Sequence, residues 1–140
     1  MGFYIHTVDD GRNPPHEYYP AASGLVPKAG MALKLDGGKL ALASGADEVK
    51  YISMRDQDTK CAEGDIIPVI RAGHDIIFET VAQAAMSAVN AGDTVQIHTD
   101  GLQVTATKKG CAEVIWKAGD EVGDAVRVRF GAAQAASEAV

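Results

Sequence analysis

The chain has 140 residues, 46% of them hydrophobic but only 6% aromatic, and a formal charge of −6 at pH 7. That is material for one domain with a core of Val, Ile, Leu and Ala, and its acidic balance argues against nucleic acid and anionic membranes as partners. No apolar stretch approaches the roughly 18 residues of a spanning helix. The start, Met1-Gly2-Phe3-Tyr4-Ile5-His6, lacks the basic and apolar regions of a secretion signal, so synthesis in a cytoplasm is expected.

Residues 1–27 differ from the rest. Asn13-Pro14-Pro15-His16, Tyr18-Tyr19-Pro20 and Pro27 show no sustained period, and proline removes amide donors, so no central strand or helix is expected. The segment nevertheless holds Phe3, Tyr4, Tyr18 and Tyr19, whereas disordered segments are poor in aromatics. It reads as an extended arm that docks on a surface, its own or a neighbour's, a disordered terminus being the alternative.

From Lys28 the pattern is that of strands. Leu33, Leu35, Leu40 and Leu42 alternate around Asp36-Gly37-Gly38, a hairpin signal. A polar link leads to Tyr51-Ile52-Ser53-Met54, and then Ile66-Ile67-Pro68-Val69-Ile70 follows. Pro68 predicts an edge strand or a bulge there. Asp75 to Thr80 is a further strand. Residues 81–89, with Ala84, Ala85 and Met86, are expected to make one or two helical turns, a capping loop being the alternative.

The last third alternates strictly. Residues 94–98 and 102–107 flank Asp100-Gly101, and Lys108-Lys109-Gly110 turns into Ala112-Glu113-Val114-Ile115-Trp116. Then Val126, Val128 and Phe130 share one face, with Arg127 and Arg129 on the other. This predicts an antiparallel meander. Short turns punctuate it: Ala29-Gly30-Met31, Glu63-Gly64-Asp65, Ala91-Gly92-Asp93 and Ala118-Gly119-Asp120. The expected fold is mainly β, a small antiparallel β-barrel or sandwich-like domain over 28–131 with at most one or two short helices. An Ala-rich tail over 132–140 completes the chain.

Chemistry-bearing patterns are scarce. His6, His16, His74 and His98 share no ligand spacing, and Cys61 and Cys111 read as two free thiols, so no metal or other cofactor is expected. Asp65, Asp93, Asp100, Asp120 and Asp124 follow turns without the alternation of a calcium loop. Ser23, Ser44, Ser53, Ser87 and Ser137 lack a nucleophile context, so no catalytic residue is assigned. Arg127 and Arg129, with Lys108 and Lys109, form the one basic cluster, suited to an acidic partner surface or to a solvated strand face.

The phrases Ala29-Gly30-Met31-Ala32-Leu33, Glu63-Gly64-Asp65-Ile66-Ile67-Pro68-Val69-Ile70 and Val122-Gly123-Asp124-Ala125-Val126-Arg127-Val128-Arg129-Phe130, joined to an aromatic arm and a small-residue tail, resemble the head decoration proteins of tailed bacteriophages. The resemblance implies a non-enzymatic protein on the outside of the virion. It would bind the major capsid protein, often as a homotrimer, and bridge neighbouring capsid subunits. On that reading Phe3, Tyr4, Tyr18, Tyr19, Arg127 and Arg129 are the partner-binding residues. The residues also leave open another virion component, a small-ligand or adaptor module, and an enzyme that gathers His74, His98, Asp100 and Glu113 from distant loops.

Overall fold

One local device opens three of the strands. In 62–65, 90–93 and 121–124 the first residue's carbonyl accepts from the Asp amide at 3.1, 3.0 and 3.1 Å. The Asp carboxylate accepts in return from the first residue's amide at 2.9, 2.9 and 3.0 Å. The third residue is Gly64, Gly92 or Gly123, at φ of 89°, 95° and 89°, a type II turn position that glycine occupies without strain. Ala118-Gly119-Asp120 is not such a turn; Asp120 instead accepts from Lys117 Nζ at 2.7 Å.

The computed structural model describes residues 2–9, 11, 12 and 14–130. Eleven strands are named: β1 (Tyr4–Val8), β2 (Glu17–Pro20), β3 (Ala32–Asp36), β4 (Lys39–Leu42), β5 (Tyr51–Ser53), β6 (Ile66–Arg71), β7 (Ile76–Val81), β8 (Thr94–Ile97), β9 (Val104–Lys108), β10 (Ala112–Lys117) and β11 (Ala125–Arg129). They make a six-stranded sheet, β1-β7-β11-β10-β8-β9, and a five-stranded sheet, β2-β6-β5-β3-β4. The sheets pack as a sandwich and not as a closed barrel. The expected 36–39 hairpin forms, with Gly37 and Gly38 at positive φ between β3 and β4.

Two hydrophobic cores result. Phe78, Val95, Val114, Val126 and Val128 of the larger sheet meet Ala32, Ile52 and Ile70 of the smaller one. On the other face of the smaller sheet, Leu33, Leu40, Tyr51, Ile67 and Val69 pack under Ala21, Leu25, Met31 and Cys61 of the connecting segments. An isolated bridge, Ala21↔Leu40, draws the ends of that sheet toward each other.

Several expectations change at this level. Residues 81–89 form no helix: Val81 closes β7, and Met86 and Val89 are buried in an irregular cap. Lys117 Nζ holds that cap by donating to the Met86 carbonyl at 2.7 Å. The last third is not a simple meander, because β8 lies between β9 and β10, so the chain must cross the end of β8. Pro68 lies in an internal strand. Its carbonyl accepts from the Met54 amide at 3.0 Å, so the N–H it lacks would point to the same side, toward Met54 just past the end of β5, and the β2 ladder on the other side loses no bond.

Residues 1–27 supply the edge strand of each sheet: β1 pairs with β7 and β2 with β6. The expected tail at 132–140 lies outside the described residues.

Candidate interaction surface

Alternation puts Glu79 of β7 and Arg127 of β11 on the outer face of the larger sheet, opposite the core residues Phe78, Val126 and Val128. Register then assembles a row across four strands. Tyr4 of β1 stands opposite Glu79, Glu79 opposite Arg127, and Arg127 opposite Trp116 of β10.

Trp116 reaches that face only through a bulge. Glu113↔Arg129 and Val114↔Val128 run in regular register, which would next set Ile115 against Arg127 and Trp116 against the inward Val126. The shift between Val114 and Trp116 instead sets Trp116 against Arg127 and turns it outward. Lys117 then faces Val126 and reaches back to the Met86 cap.

The centre of the row is electrically neutral. Arg127 Nε donates to Glu79 Oε1 at 3.0 Å, and the guanidinium carbon lies 4.1 Å from the Trp116 ring centroid, a cation–π contact. The aromatic ends stay open: Tyr4 is 52% and Trp116 41% exposed, with Val122 also exposed in the preceding turn. Aromatic side chains around a satisfied ion pair are the composition that commonly dominates protein–protein contacts.

The other expected partner residues are dispersed. Phe3 is buried, edge-to-face against Phe130 at 5.4 Å, so its anchoring is met within the chain's own core. Tyr19 stacks on Tyr51 at 4.7 Å, and its hydroxyl donates to Glu17 Oε1 at 3.1 Å. The Tyr51 hydroxyl, then the Glu17 carboxylate, push Tyr19 up to about 12. Arg129 is mostly enclosed and donates to both Asp9 carboxylate oxygens at 3.2 Å and to the His74 carbonyl. It ties β1 to the start of β7. Tyr18 is exposed, but on the smaller sheet. Of the six, only Tyr4 and Arg127 come together; Glu79 and Trp116 are additions, Glu79 brought opposite Arg127 by strand pairing and Trp116 turned outward by the bulge.

Among the described residues no three His, Cys, Asp or Glu side chains converge as a metal site, so His74, His98, Asp100 and Glu113 are not gathered in that way. Cys61 and Cys111 are free, buried thiols, and burial pushes Cys111 up to about 12. No helix is long and apolar enough to cross a membrane among the described residues. Comparison with protein-family models gives no match, and no curated protein matches the chain.

Proposed function

We propose that this protein is a non-enzymatic structural protein of a bacteriophage virion. It binds the outside of the capsid and stabilises the shell by bridging neighbouring subunits. Its partners are the major capsid protein and further copies of itself, as a homotrimer, and its place is the capsid exterior after synthesis in the host cytoplasm. The resemblance of the Gly-Asp strand phrases to head decoration proteins supplies the class.

One observation carries the reading: the Tyr4–Glu79–Arg127–Trp116 row on the outer face of a rigid sheet. It offers aromatic area held by the backbone ladder, which lowers the ordering cost of binding. The body around it is acidic, which suits a protein outside the shell and away from packaged nucleic acid. Many copies on one lattice gain strength from effective concentration even where each contact is weak.

The test is co-sedimentation of purified protein with capsids of the virus whose genome encodes the chain. Wild type is expected to sediment with the capsids, and Tyr4→Ser/Trp116→Ser to bind about tenfold more weakly or worse while keeping its circular dichroism spectrum. Failure of the wild-type protein to bind capsids overturns the reading.

One observation favours a second reading, a small-ligand module. A groove of about 430 Å³ lies at the mouth of the second core, lined by Ala22, Leu25, Val26, Met31, Ala41 and Leu42. A metabolite library screened by thermal shift separates the two: a bound apolar metabolite raises the unfolding temperature, and a capsid-binding protein shows no such response.

A further inference from the structure

A groove of about 270 Å³ shares Tyr4 and Glu79 with the row and lies where β1, β7 and the turn that opens β11 meet. Ile5, Val81, Gly123 and Ala125 complete its main lining. Small residues keep the space open: Gly123 has no side chain, and a Cβ built there would meet nothing within 4 Å. The volume lies below the roughly 300–1,000 Å³ of small-molecule pockets, so it suits one long side chain of a partner.

Charge decides which side chain. Arg127 Nε engages Glu79 through Oε1 at 3.0 Å; Glu79 Oε2 accepts no hydrogen bond among the described residues, and the side chain is 39% exposed. Glu121 and Asp124 share the turn with Gly123 and pair with no cation among the described residues. Asp124 accepts from the Glu121 amide at 3.0 Å, while Lys117 is taken up by Asp120. His6 also borders the groove, its Nδ1 held against the Thr7 hydroxyl at 2.7 Å. Three carboxylates thus stand around one guanidinium, on a chain whose formal charge is −6. An anionic guest is repelled here, and a neutral apolar one strips water from Glu79 Oε2 without replacing it. A cationic side chain is favoured on both counts. Arginine fits better than lysine, because its planar guanidinium can bond the carboxylate and stack on an aromatic ring, which the half-exposed Tyr4 supplies.

We propose that this groove receives an arginine side chain of the partner protein, with its guanidinium between Glu79 Oε2 and the Tyr4 ring and its stem along Ile5 and Val81. The proposal rests on the capsid reading above and deepens it by stating what the capsid surface must present.

The experiment is an NMR titration of the isotope-labelled full chain, without capsids, with N-acetyl-arginine amide as the added molecule. Saturable shifts of the Ile5, Glu79 and Gly123 amide signals are expected, with a dissociation constant on the order of 1 mM. The uncharged isostere, N-acetyl-citrulline amide, is expected to bind about tenfold more weakly or worse. Raising salt from roughly 0.05 to 0.5 M is expected to weaken the arginine amide several-fold. Glu79→Gln is expected to cost it about tenfold in affinity with an unchanged circular dichroism spectrum. Should that change disturb Arg127, Ala125→Leu, which fills the groove and leaves every charge in place, gives the same readout. Absence of a saturable shift overturns the proposal. So do citrulline binding that equals arginine binding, or folded variants of both kinds that bind as wild type does. Titration with the free amide succeeds or fails whether or not the protein sediments with capsids, so the two readings are judged separately.

Discussion

Gly110 shows how a single side chain constrains this topology. The chain passes from β9 to β10 across the end of β8, and a Cβ on Gly110 would lie against the Val95 carbonyl and its peptide. Backbone on both sides leaves little room to yield, so Gly110→Ala is expected to cost about 3 kcal/mol, the upper range for overpacking, read by chemical denaturation. Cys111 gives a pH prediction. Its thiol ionises in the unfolded chain near 9.0, but burial raises it to about 12 in the folded one. The folded state therefore holds its proton longer. The associated stability is complete below pH 9 and is lost as pH rises toward 12, a window in which Tyr19 acts in the same direction above pH 10. Cys111→Ala is expected to flatten the fall in unfolding free energy between pH 9 and pH 12; a slope equal to the wild type's refutes the assignment.

At the scale of elements, the N-terminal segment is the part whose standing changes most. Read as an arm, residues 1–27 would be separable. In the structure they give each sheet an edge strand and contribute Phe3, Ala21 and Leu25 to the two cores. Removing them is expected to abolish cooperative unfolding, measured by differential scanning calorimetry, so truncation is no clean probe of partner binding. Phe3→Ala is the milder version. It empties the contact with Phe130 and is expected to cost about 3–5 kcal/mol in urea unfolding.

The whole molecule is knit by strands distant in sequence: β1 to β7, β2 to β6 and β7 to β11. Its two cores share the smaller sheet, since Ile52 and Ile70 serve one and Tyr51 and Val69 the other. Neither core can open without exposing that sheet. Phe78→Ala and Leu33→Ala, one in each core, are thus expected to lower the same single calorimetric transition. Two separate transitions would show the cores to be independent. Loops must close over long stretches before these pairings form, so refolding is expected in milliseconds to seconds by stopped-flow fluorescence of Trp116.

The amino-acid order alone determined the β class, most strand positions and the turns, because period-two alternation and Gly-Asp phrases act within a few residues. Leu33 to Leu42 around Asp36-Gly37-Gly38 and the 125–130 run are clear cases. Part of the candidate surface was legible in the same way: Tyr4 stood out as an aromatic in a proline-rich segment, and Arg127 as the outward residue of an alternating strand. What lay beyond local reading was decided by tertiary contact. Met86 and Val89 gave up helical form to plug a core, Phe3 found its place inside the fold, and one bulge turned Trp116 from the core side to the surface. Each outcome depends on which strand lies alongside, and pairing between residues scores apart in sequence is a property of the packed sheets rather than of any short stretch of chain.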